Sequence, residues 1–213
     1  MGRRVRILAV TDEVDRRLYG CSGLRDRLGS PDLIVGCGDL PSYYLDYLVS
    51  QIDAPLYAVH GNHDAPPEPG AADNLDGCGA TWIGGRSVAA DGVLLAGFDG
   101  SLRYNRGRYQ STESEMRAAV LWLAPRLWLN RLRYGRALDI LVTHAPPAGV
   151  HDGPDATHRG FRAFRWLLDT FRPRYHLHGH AHVYDRRVPT RTQVGRTEVV
   201  NVYPYREVVL EVP

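Results

Sequence analysis

Three times in its first third the sequence runs from an apolar stretch into a polar cluster: VRILAVTD, DLIVGCGD and PLYAVHGNHD. Such runs fit strands covered on both faces, the pattern of a parallel sheet with helices laid against it by crossover connections. Between the second and third, Tyr44, Leu48 and Ile52 recur four apart with Pro41 near the start, which predicts a helix within PSYYLDYLVSQI.

The middle changes character. In RSVAADGVLLAGF, Asp91 and Gly92 separate two apolar runs, a strong local signal for an antiparallel hairpin and the expected start of a second sheet. Thr112 and Glu115 have the spacing of a capping box ahead of a helix carrying Met116, Ala119, Val120 and Leu123, which Pro125 is expected to interrupt or restart. Trp122, Trp128 and Leu129 lie off that stripe. They either cover the core of the same domain or bury a second face against a partner subunit, so a homo-oligomer stays open. A strand in LDILVTHAPP and a helix in FRAFRWLLDTF follow, the latter with Phe161, Phe164, Leu168 and Phe171 on one side. TEVVNVYP and REVVLEV, around Pro204, suit a closing antiparallel hairpin. APPEPGAADNLDG is expected to be a loop inside one domain spanning residues 1–213.

The 26 basic residues, all arginine, nearly balance 24 acidic ones, and the net charge of +2 gives no electrostatic case for nucleic acid or a membrane surface. No apolar run approaches the roughly 18 residues of a membrane span, and MGRRVRILAV is too short for a signal peptide before its strand. An odd set of cysteines (Cys21, Cys37, Cys78) without C-x-x-C spacing fits a reducing, cytoplasmic setting.

All 9 histidines fall in three windows: His60 and His63; His144, His151 and His158; His176, His178, His180 and His182. The last four stand at period two, so a strand through HLHGHAHV would turn all four rings to one face. Each window lies at or just after an expected strand end. Ligands bind outside the carboxyl ends of strands in α/β sheets, so Asp12, Asp39, Asn62 and His63 are expected to converge with these histidines. The mixed oxygen and nitrogen donors suit manganese, iron or zinc. Singly each piece has an ordinary use, a turn, a helix cap or a buried hydrogen-bonded histidine. Clusters at four separate strand ends are harder to assign to chance.

In order, TDEVD, the GD at 38–39, GNHD at 61–64, TH at 143–144 and GHAH at 179–182 resemble the five motifs of the calcineurin-like metallophosphoesterases, a match spanning residues 11 to 182. The resemblance implies an α/β fold of two mixed β-sheets packed as a sandwich and flanked by helices. It implies that Asp39 bridges two metals, that Asn62, His144 and His180 complete one shell, and that Asp12 and His182 belong to the other. His63 would face the leaving group, oriented by Asp64, while His178 supports the ligands and His176 is structural. Two cations about 3.5 to 4 Å apart clamp an in-line displacement and lower the pKa of a bound water to about 7, so no covalent enzyme nucleophile is needed.

One position departs from the family pattern. The first motif is normally Asp-x-His, and here Val14 stands where the histidine would be. One firm and one weaker metal site are therefore expected, unless Glu13 or Asp15 reaches in. Arg103, Arg106 and Arg108 either clamp phosphate or form a solvated basic loop. His151, Asp152, Asp155 and His158 either wall the substrate or bond among themselves. The resulting expectation is a metal-dependent phosphoesterase acting on a small phosphorylated substrate, monoester or diester. The alternative is a non-catalytic calcineurin-like scaffold or interaction module.

Overall fold

The computed structural model describes residues 2–64, 78–185 and 187–213. In chain order its elements are β1 (Arg3–Val10), α1 (Leu24–Arg27), β2 (Leu33–Gly36), α2 (Ser42–Ile52), β3 (Leu56–Ala58), β4 (Ala80–Trp82), β5 (Ser87–Ala90), β6 (Val93–Phe98), β7 (Ser101–Leu102), β8 (Gln110–Ser111), α3 (Glu113–Tyr134), β9 (Ile140–Thr143), α4 (Arg162–Phe171), β10 (Tyr175–His178), β11 (Arg191–Val194), β12 (Thr197–Asn201) and β13 (Tyr205–Val212). One sheet has the order β13-β1-β2-β3-β4, the other β11-β12-β10-β9-β6-β5, and β7 and β8 form a short parallel ribbon.

The three apolar runs are β1, β2 and β3, paired in parallel. Alternation then divides their side chains between two cores. Val5, Ile7, Ala9, Leu33 and Val35 face inward and meet Leu95, Ile140, Val142, Leu177 and Val200 of the second sheet. Leu8, Val10, Ile34 and Leu56 face outward and pack under Tyr44, Leu45, Leu48 and Ile52 of α2. On the far side, Ala96, Leu141 and Val199 lie beneath Val120, Leu127, Phe164 and Leu168 of α3 and α4. The result is helix, sheet, sheet, helix, as the family resemblance implies. The β5–β6 hairpin turns at Asp91 and Gly92, both at positive φ, and opens the second sheet as expected. Residues 65–77, expected as a loop, lie outside the described residues.

Three expectations are corrected. First, α3 runs straight through Pro125. The proline removes the bond to the Leu121 carbonyl and crowds it, but both residues are on the exposed side, where that carbonyl is free to turn toward solvent. The buried stripe Met116, Val120, Leu123, Leu127 and Asn130 continues unbroken, anchored by the full Thr112–Glu115 capping box. Secondly, β12 and β13 form no hairpin: β12 joins β10 and β11 in the second sheet, and β13 pairs with β1 in the first. Their patterns explain this, because Val199 to Asn201 are all buried, whereas β13 buries only Val208, Leu210 and Val212 in alternation. Thirdly, the histidine strand stops at His178, and His180 takes a left-handed φ of 64°, so the four rings do not share a face.

Candidate metal centre

β1, β2 and β3 end on the same rim of the sandwich as β9 and β10, and the loops that follow carry Asp12, Asp39, Asn62, His144 and His180. Ligand oxygens of Asp12 and Asp39 and a ring nitrogen of His144 lie within 4.8 Å of one another. Nε2 of His144 is 3.2 Å from Oδ2 of Asp39, 3.0 Å from Oδ1 of Asn62 and 3.1 Å from Nδ1 of His180. Nε2 of His182 lies 3.2 Å from Oδ1 of Asp12. All six residues expected as metal ligands are thus brought together.

The backbone aims them. His144 Nδ1–H donates to the Cys37 carbonyl (2.8 Å) and His180 Nε2–H to the Thr157 carbonyl (2.7 Å), which leaves the other nitrogen of each ring facing the centre. The Asn62 amide donates to the Tyr104 hydroxyl at 3.1 Å, turning its oxygen toward His144. Asp12 Oδ2 accepts from the Thr11 hydroxyl and the His180 N–H, and Asp39 Oδ1 accepts from the His63 N–H at 2.7 Å. Asp12, Asp39 and His180 all sit at positive φ, a strained conformation that gathers at functional sites. Two glycines permit the crowding. A Cβ on Gly61 would press into the Asp39 carboxylate, and one on Gly179 would collide with the Thr11 hydroxyl and stand 2.5 Å from Asp12 Oδ2.

Electrostatics follow from this crowding. Burial raises the carboxyls of Asp12 and Asp39, but the His182 hydrogen bond at Asp12 and the His144 charge beside both outweigh it, and both end below the ordinary carboxylate range. Burial works against charge on His144, yet Asp39 and Asp12 raise it to about 9. His180 is pushed down to about 4 by burial and by the charge on His144. The cluster draws positive charge to its middle.

Other expected residues sit differently. His63 is exposed, and Asp64 accepts from the Gly61 N–H at 2.7 Å and lies 3.7 Å from His60 Nδ1. Among the described residues Asp64 makes no hydrogen bond to the His63 ring, so it braces the loop rather than orienting that imidazole. Val14 is half-buried against the outer core under α2. Asp15 is taken up by Arg17, and Glu13 accepts from the Tyr203 hydroxyl at 2.5 Å. Arg103 pairs with Glu115. Asp155 bonds His158, yet both also line a cleft of about 490 Å³ with His151, His182, Tyr184, Val188 and Asn201. The two readings of that loop are therefore compatible. His178 bonds His151 at 2.9 Å and His176 bonds Thr143 at 2.7 Å, both behind the site.

Sequence reasoning missed Tyr203, whose ring stacks on His182 at 4.7 Å and 14°. It also missed Tyr104 and Tyr109, the latter 3.0 Å from His60 Nε2. Their only signal was the aromatic spacing of SLRYNRGRYQ, read for its arginines.

Comparison with known proteins bears on the family and the fold. A family model described as calcineurin-like phosphoesterase matches residues 6–184. The fold is similar to that of TT1561 of Thermus thermophilus, at 15% identity and a TM-score of 0.65 over 94% of this chain and 89% of that one. It is also similar to GAP50, described as the anchor in the inner membrane complex of Plasmodium, at 12% identity and a TM-score of 0.51 over 93% and 71%. No curated protein matches the chain. No helix among the described residues is long and apolar enough to cross a membrane.

Proposed function

The chain belongs to the calcineurin-like phosphoesterase family, and from that premise we propose that it hydrolyses a small phosphate monoester or diester with divalent cations held by Asp12, Asp39, Asn62, His144, His180 and His182. The observation that carries this reading is the convergence of Asp12, Asp39 and His144 within 4.8 Å. The donor set fits a cation. Two imidazoles each spend one N–H on a backbone carbonyl and turn the other nitrogen inward, beside carboxylate and amide oxygens, a set suited to manganese, iron or zinc. The carboxylates of Asp39 and Asp12, which favour positive charge on His144, would favour a bound cation in the same way.

Bound there, divalent cations supply phosphoryl polarisation and an acidified water. The chain's own groups do the rest. Asp39 presents one oxygen to His144 and has the other fixed by the His63 N–H, which holds the carboxylate in place at the centre. His63, exposed and tied to Asp39 by its backbone N–H, is the residue this reading assigns to give a proton to the departing oxygen. The neighbouring cleft, walled by His158, His182, Tyr184 and Val188, receives the remainder of the substrate. The near-neutral charge favours a small substrate over nucleic acid. The reading includes a cytoplasmic, reducing setting.

The test is metal analysis of protein purified without chelators, followed by turnover of aryl mono- and diesters with added Mn²⁺. We expect bound metal and turnover, with both lost in Asp39→Ala. Removing several kcal/mol of transition-state stabilisation corresponds to a drop of at least about 10³-fold. A second reading, a non-catalytic scaffold, is favoured by one observation: Val14 packs into the outer core where the family pattern has a ligand. Wild-type protein that turns over neither ester with any of several divalent metals would establish the scaffold.

A further inference from the structure

The outer face of α3 is apolar along its length. Ala118, Trp122, Pro125, Leu129 and Leu132 follow one another at alternating spacings of four and three and are all exposed, opposite the stripe that packs on the second sheet. Trp122 is 86% and Leu132 85% accessible. A continuous apolar seam on a charged helix marks an interaction surface. The four-three spacing is that of helices packed side by side.

We propose that this seam binds the same seam on a second copy of the chain, antiparallel, about a two-fold axis at Pro125. Self-complementarity and charge both select this occupant. Reversal about Pro125 sets Trp122 against Leu129 and the small Ala118 against Leu132, so each apolar side chain of the seam meets another of the seam. The acidic residues of α3, Glu113 and Glu115, lie in its first turn, whereas three of its four arginines, Arg126, Arg131 and Arg133, lie in its second half and only Arg117 lies near the acidic end. Glu115 and Arg133 flank the seam on one side. An antiparallel partner brings Glu115 of one copy toward Arg133 of the other at both ends, and opposes the two helix dipoles favourably. A parallel partner would instead stack the arginines of both copies together.

Pro125 suits the crossing point. It sits on the exposed side of a helix that continues through it, and its compact ring lets the two backbones approach.

The test is light scattering and sedimentation of the wild type and of Trp122→Arg. The wild type should be a dimer at micromolar concentration. The variant, altered at a residue exposed in the monomer, should keep its circular dichroism and melt but run as a monomer. Direction is read by cross-linking in a Cys21→Ser background. Ala118→Cys mixed with Leu132→Cys should form a disulfide-linked heterodimer, whereas each alone should not, since its two sulfurs would stand about 21 Å apart. A monomeric wild type, a dimeric Trp122→Arg, or cross-linking of either cysteine variant with itself would overturn the proposal.

Discussion

Gly61 lies so close beneath Asp39 that a Cβ on it would overlap the carboxylate and come within 2.5 Å of the Asp39 backbone nitrogen. The smallest possible side chain at residue 61 therefore displaces the acid at the middle of the site. Gly61→Ala should cost about 1–3 kcal/mol in stability and weaken Mn²⁺ binding at least about tenfold, as read by urea unfolding and calorimetry. Normal affinity would mean that the loop shifts without moving Asp39.

His63 is argued to move a proton and not to hold metal. His63→Ala should retain its metal content while turnover falls about 10²- to 10⁴-fold. Loss of metal would make it a ligand, and unchanged turnover would remove it from the chemistry. Asp64→Asn is expected to perturb the loop through Gly61 and so lower metal affinity as well as rate.

The two halves of the centre differ in donors. Asn62, His180 and Asp39 gather about His144, whereas Asp12 has His182 beside it and, with Val14 in the family's histidine position, no second imidazole from its own motif. Calorimetric titration should find one tight Mn²⁺ and a second at least about tenfold weaker, and Val14→His should strengthen the second. That imidazole must leave the apolar contacts Val14 now makes, so the variant should also lose about 1–3 kcal/mol of stability. Two equally tight sites in the wild type would mean that Glu13 or another group already fills the gap.

Behind the site, His176 is fully buried and held neutral by burial and by the nearby His178 and His151. Its folded pKa lies below that of the unfolded chain, about 6.5, so the unfolded state takes up the proton first as pH falls. The stability it contributes should be complete above about pH 6.5 and decline below it, by up to about 1.4 kcal/mol per unit for this one group. In the metal-free protein His144, raised to about 9 by Asp39 and Asp12, acts in the opposite window: its contribution is complete at pH values below the unfolded pKa and is lost as pH rises toward 9. Below about pH 6.5 the two effects therefore separate. Urea midpoints measured at about pH 6.5, 5.5 and 5.0 should fall in that order, with a shallower decline in His176→Leu. A flat wild-type profile would show that the interior admits the proton at little cost.

The site was legible where chemistry is written locally. Asp39, Asn62 and His144 each follow an apolar run directly, and the end of a parallel strand fixes where such residues go. The Tyr203 contact was not, because its stack on the partly exposed His182 joins two loops and leaves no periodic trace. Pro125 misled because its cost depends on which side of the helix faces water. The supposed hairpin of β12 and β13 misled because pairing is decided by which sheet has an open edge, and β1 supplied one at the other end of the chain.

That last pairing has a consequence for how the molecule is made. Arg4 and Glu211 face each other across the β1–β13 ladder although they are 207 positions apart. While the chain is synthesised, β1 carries an unclaimed row of amides and carbonyls until β13 has emerged, and contacts so distant in sequence are slow to form. A nascent or nicked chain lacking β13 would keep its second sheet and most of its centre, yet offer β1 as a template for the strands of its neighbours. The last strand thus acts as the seal against aggregation, guarding a site it does not touch.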